Sequence, residues 1–191
     1  MAIGGPGTRC VPGPFSLSFT SFRQVPVFIV QAAEWLEATW LSTAIRESIW
    51  VYPIVESIHV LTIALFLGLT AAMDARLLGA ALRETPVGVV MARLLPWIRL
   101  GFAVMAVTGV LLFAGTPVRF VSNVFFQIKL ALLVLAGLNV WLFHHRLYPT
   151  VHEWGGAARP PRHARLAGAA SLVLWTLALA TGRLIAYNWF E

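Results

Sequence analysis

The chain has 191 residues, 59% of them hydrophobic and only 12% charged, where a soluble domain carries about 25% charged residues. Mean hydropathy is +0.78. These figures exclude a disordered chain, a nucleic-acid-binding arm and an ordinary cytosolic enzyme; the net charge of +6 sits in short segments between apolar runs, so no nucleic-acid partner is expected.

Residues 1–33 read as a disordered tail: Met1 to Pro14 is rich in glycine and proline, and Val25 to Val30 is too short for a signal-peptide core followed by a cleavage site. The single cysteine, Cys10, lies here and excludes an intrachain disulfide and a cysteine-based zinc site. Residues 34–191 read as one transmembrane domain. Glu34 to Trp50 predicts one or two short interfacial helices of weak amphipathicity, with Trp35, Trp40 and Trp50 as anchors. Four apolar runs follow, at about 53–73, 96–115, 124–143 and 166–190, each near the roughly 20 residues that cross a hydrocarbon core. Pro53 and Pro96 would open the first two in a first helical turn, where no amide donor is needed. No two-residue alternation supports strands. The expected fold is therefore all-α, an integral membrane four-helix up-down bundle with a short N-terminal interfacial helix.

The connections differ. Residues 116–123 predict a tight hairpin, 74–95 a longer mixed segment, and 144–165, with Gly155-Gly156 and Pro160-Pro161, an irregular loop. The two long connections carry Arg76, Arg83, Arg93, Arg146, Arg159, Arg162 and Arg165, and the short one only Arg119. The excess of arginine places the long loops in the cytoplasm and both termini in the periplasm of a bacterial inner membrane. Trp50 and Trp189 then fall at the outer interface, and Trp97 and Trp141 at the inner one.

Ionisable groups within a bilayer are costly and mark function or a compensated pair. The first run holds Glu56 and His59, the third Lys129, which is the only lysine, and the fourth Arg183. Counted from the run ends, His59, Lys129 and Arg183 lie about 8–11 Å below one outer boundary. Glu56 lies one turn above His59, and Thr108 falls at a matching depth. Tyr52, Glu56, His59, Ile63, Phe66 and Thr70 form a stripe at helical spacing, as do Thr176, Arg183 and Tyr187; Gly101, Thr108 and Gly115 form a small-residue stripe for close helix approach. With His59 neutral the polar layer is +1, so either Lys129 is deprotonated or an anion belongs there: a haem propionate, an anionic substrate or a lipid phosphate.

Each residue also has a plainer reading. His59 can be a satisfied core histidine, Lys129 and Arg183 can snorkel to headgroups, and Glu56 can neutralise either cation. His144 and His145, beside Arg146, read as a cationic cap on a helix C-terminus. With His152 and His163 they match no standard zinc spacing. Asn139 reads as a helix–helix hydrogen bond. The four methionines are not clustered, and no Walker loop, dinucleotide glycine fingerprint, GxSxG or HExxH occurs.

Arg46-Glu47-Ser48, Tyr52-Pro53 and Glu56-Ser57-Ile58-His59-Val60, closing on Gly68, resemble the opening of a bacterial membrane family of unknown function. So do Phe126 to Leu133, Gly137-Leu138-Asn139 and His144. The first-helix histidine and later-helix lysine are more distantly similar to the HemJ-type membrane protoporphyrinogen oxidases, and the Lys-Leu-Ala-Leu stretch at Lys129 resembles the CopD copper-resistance membrane domain. The HemJ likeness implies His59 as an axial ligand of haem b and Lys129 as a site residue; Glu56 and Arg183 fall outside that pattern, and the loops differ. The leading expectation is a b-type haem protein for electron transfer or a haem-dependent membrane oxidoreductase. His59 is the metal ligand, Lys129 and Arg183 pair with propionates or an anionic substrate, and Glu56 orients His59 or relays a proton. A redox partner or a homo-oligomer would accompany it. The alternatives are a CopD-like transport or metal-handling module and a structural subunit with internally paired charges.

Overall fold

The structure is a computed structural model and describes residues 25–186. The tail residues 1–24 with Cys10, and the expected C-terminal positions Tyr187, Trp189 and Phe190, lie outside the described residues. Among the described residues the chain is helical throughout and has no strand.

Two short helices come first, α1 (Val27–Glu37) and α2 (Trp40–Glu47), so helix begins inside the stretch read as tail. The Thr39 side chain caps α2 by accepting from the Ser42 amide. Ser42 and Ile45, three residues apart on one face of α2, are buried, while Trp40 is 82% exposed, so α2 is more clearly two-faced than its sequence implied. α1 packs on the short helix α5 (Pro117–Val121) of the hairpin, and α2 packs on α4 (Val87–Gly115), where the Ser42 hydroxyl donates to the Gly115 carbonyl at 3.3 Å. The Glu37 carboxylate accepts from Arg46 and from the Val118 amide, each at 3.3 Å, and so ties α1 to both neighbours.

Four helices are long and apolar enough to cross a membrane: α3 (Val51–Leu78), α4, α6 (Val124–Leu142) with the turns that continue it to Trp154, and α8 (Arg162–Leu184). α3 packs on both α4 and α8, and α6 packs on α8. Apolar side chains such as Leu61, Val107, Val110 and Val134 project outward, as a lipid-facing surface requires.

Two boundaries differ from expectation. α3 continues past Met73 to Leu78 and stops at Gly79, whose φ of +72° closes the helix without a Cβ penalty. Asp74 and Arg76 are therefore helical and buried rather than in a loop. α4 starts after Pro86, ten residues before Pro96, which lies inside the helix. Pro86 fits the boundary because a proline cannot continue a helix toward its own N-terminal side, whereas Pro96 costs one internal hydrogen bond that the uninterrupted apolar run around it outweighs. α8 likewise starts four residues early, after Pro161.

The long second loop is built rather than irregular. Phe143–Leu147 is a π-helical turn, Tyr148–Thr150 a 3₁₀ turn and α7 (Val151–Trp154) a short helix. Gly155 follows because a Cβ there would lie 2.5 Å from the Val151 carbonyl oxygen. Arg76, 1% exposed, clamps both loops: its Nε donates to the Thr85 carbonyl at 2.7 Å, and its Nη2 donates to those of Gly155 at 3.2 Å and Ala157 at 3.1 Å. Leu77, Val87, Met91 and Phe143 form the core beneath this arginine-rich end. A second core at mid-bundle joins Phe66, Ala136 and Trp175, with the Phe66 and Trp175 rings edge-on at 4.7 Å. Phe113 of α4 stacks on Phe126 of α6 at 5.6 Å and closes the opposite, hairpin end.

Candidate functional site

The polar layer at the hairpin end is assembled by three of the four spans. His59 is two turns into α3 and half-buried, and its Nδ1 lies 2.8 Å from Oγ1 of Thr108 on α4. The Thr108 hydroxyl also donates to the Val104 carbonyl at 2.8 Å, one turn back along its own helix. A hydroxyl has one hydrogen, so with that hydrogen given to Val104 the oxygen accepts from Nδ1–H. With the hydroxyl hydrogen on Val104 the ring is the Nδ1–H tautomer and Nε2 carries the lone pair; with it turned to Nδ1 the ring proton sits on Nε2. A second partner that holds the ring in this way is usual behind a metal-bound histidine.

Glycines make the room. A Cβ on Gly109 would come within 3.2 Å of His59 Cε1, so the imidazole lies against the α4 backbone. A Cβ on Gly182 would come within 3.2 Å of Lys129 Nζ, so the lysine crosses from α6 onto α8 where the side chain is missing. Lys129 is half-buried, lies within electrostatic reach of the His59 ring and makes no ion pair among the described residues. The stripe Gly101, Thr108 and Gly115 is buried along its length: Gly101 lies against Phe66, Thr108 against His59, and Gly115 against Ile45 and Tyr52. Sequence reasoning found this stripe but not Gly109 or Gly182; their signal was a glycine directly next to a polar span residue.

The structure thus brings His59, Thr108 and Lys129 together. It leaves the other two expected site residues outside that contact. Glu56 is exposed and lines an open concavity of about 530 Å³ with Pro53, Ser57, Val60 and Leu61, on the α3 face next to the one His59 uses. Arg183 is exposed on α8, beside the glycine that Lys129 touches. Orienting His59, one of the two roles expected of Glu56, is performed by Thr108.

The remaining histidines bond locally. His144 Nδ1 meets the Val140 carbonyl at 3.0 Å, His145 packs on Trp141 at 4.8 Å, and the exposed His152 lies 3.8 Å from Glu153. No three His, Cys, Asp or Glu side chains among the described residues gather into a metal site. Asn139 on α6 donates to the Ala167 carbonyl on α8 at 3.0 Å, the helix–helix bond its position implied.

At the opposite end α3 and α8 enclose a second polar group that the sequence reading placed in a loop. Asp74 is 4% exposed, and the Ser171 hydroxyl reaches its carboxyl group from α8. Its Oδ2 and the Thr70 hydroxyl oxygen, one turn away, are buried without a hydrogen-bond partner.

A family model described as a family of unknown function (DUF6644) matches residues 32–188, and the chain belongs to that family. No curated protein and no solved structure matches.

Proposed function

We propose that this chain is a multi-pass protein of the bacterial inner membrane, with both termini periplasmic, that binds b-type haem through His59 for electron transfer or oxidation of a membrane-accessible substrate. The observation that carries the reading is the His59–Thr108 pair, which holds an imidazole inside a bundle of helices long and apolar enough to span a membrane. The chemistry of the donors suits a haem: one imidazole held by a hydroxyl, and one half-buried ammonium that no carboxylate neutralises among the described residues.

Thr108 holds the ring. Lys129 offers its charge to a propionate or an anionic substrate, with Arg183 adding charge from the outer side of α8. Glu56, exposed at the hairpin end, is left the role of proton relay from the periplasmic side. A bound haem supplies one-electron chemistry, and burial with axial ligation sets its potential.

The test is the absorption spectrum of protein purified after expression with ample haem precursor. A Soret band that His59→Ala abolishes is the expected result. No band, or a band unchanged in His59→Ala, overturns the reading. A second reading, a CopD-like transport or metal-handling module, draws on the separate polar group at Asp74 beyond the Phe66–Trp175 contact. Unchanged metal content and tolerance after gene deletion would count against it.

A further inference from the structure

Between α3 and α8, at the arginine-rich end, lies a cavity of about 90 Å³. Thr70 and Asp74 line it from α3, and Trp175, Thr176 and Leu179 from α8. Asp74 and Thr70 are one helical turn apart and so present their oxygens side by side. Both of these oxygens are buried and lack a hydrogen-bond partner. Buried polar groups in folded proteins nearly always find partners, so two orphans facing one cavity mark a missing occupant.

Charge narrows what that occupant is. No arginine, lysine or histidine forms an ion pair with Asp74 among the described residues; the pairs there are Arg46–Glu37 and His152–Glu153. Arg76, two residues on, points to the loop carbonyls instead. A buried carboxylate without a counter-charge is costly in a low-dielectric interior. The helices cannot relax around it, because they touch here: a Cβ on Gly168 would lie 3.2 Å from the Asp74 carbonyl oxygen and 3.1 Å from Leu77 Cβ.

We propose that this cavity binds a sodium ion, held by the Asp74 carboxylate with the Thr70 hydroxyl, while the Ser171 hydroxyl, outside the cavity lining, steadies the carboxylate from α8. Donors made only of oxygen select a hard cation over copper or zinc. One carboxylate balances one charge, whereas calcium sites use several carboxylates and carbonyls. The cavity has room for an ion with water beside it to complete its shell. The site is separate from His59 and does not depend on the haem reading.

The experiment is thermal unfolding of the full chain in detergent micelles, with sodium chloride replacing choline chloride at constant ionic strength and potassium chloride as a parallel series. The midpoint should rise with sodium and saturate. In Asp74→Asn, which keeps the shape and removes the charge, the rise should vanish while the far-ultraviolet helical signal stays. Thr70→Val should shift the sodium dependence to about tenfold higher concentration, as loss of one ligand implies. Equal midpoints in sodium, potassium and choline overturn the proposal and assign a proton or water to the carboxyl group. A sodium response that survives in Asp74→Asn overturns it as well. The Soret band of the haem test is read separately, so failure of either proposal leaves the other standing.

Discussion

At the arginine-rich end, Arg76 directs Nε and Nη2 onto three backbone carbonyls from two loops, with Nη1 left unpartnered, whereas at the hairpin end the His59 ring meets the Thr108 hydroxyl through Nδ1. Both residues sit on α3, nearly five turns apart, and both are polar groups in an apolar helix. The difference lies in what the partner is. The Gly155 carbonyl also accepts from the Val87 amide at 2.9 Å, whereas at Thr85 and Ala157 the donor comes from the arginine, which so becomes part of the scaffold. A threonine hydroxyl already engaged with its own helix can only orient the ring it meets, which leaves that ring free to bind something else. A polar residue in a span is therefore read by where its hydrogen bonds end, not by its depth.

The sharpest way to break this comparison is Arg76→Met. It removes every bond to Thr85, Gly155 and Ala157 and leaves the half-buried Thr85 and exposed Ala157 carbonyls without this donor, while Gly155 keeps the Val87 amide. A loss of about 1.5–3 kcal/mol is expected, the size of hydrogen bonding to a charged group. Chemical unfolding in mixed micelles measures it, and a loss under 1 kcal/mol would show that the loops hold without the clamp. Thr108→Val comes next. Stability should fall by about 1 kcal/mol, while affinity for the His59 ligand should fall about 10–100-fold because the ring is no longer held. Equilibrium haem titration followed at the Soret band reads the second effect; an unchanged affinity would leave Thr108 a packing residue only.

The spans were legible because bilayer thickness dictates their length, and Leu-, Val- and Ala-rich runs of that length have no other use. Their ends were less so. Pro86 and Pro96 satisfy the same helix-start rule, and only the packing of Val87, Val90 and Met91 into the core selects Pro86. Asp74 and Arg76 looked like loop charges because charge usually marks an interface; their partners, Ser171 and the carbonyls beyond Thr85, come from segments about 10 to 97 residues away, which no local pattern encodes. The depth argument did place His59 and Thr108 opposite each other. It could not tell which way Glu56 and Arg183 turn, because depth follows from counting along a helix whereas facing depends on the neighbouring helix.

The smallest expected effect comes from Asn139→Leu. Asn139, like Arg76, ends on a backbone carbonyl, that of Ala167. That carbonyl lies inside α8, where the helix supplies its own donor four residues on, so the amide adds a second bond to an oxygen already served. Interhelical polar bonds in membranes average about 0.6 kcal/mol, and leucine returns packing at the α6–α8 contact, so the net change in unfolding free energy should be about 0.6 kcal/mol or less. This variant isolates the claim about partners. If it costs as much as Arg76→Met, then ending on any carbonyl is what matters, and the distinction between loop and helix carbonyls fails. If it costs almost nothing, the weight of Arg76 comes from the Thr85 and Ala157 loop oxygens it reaches.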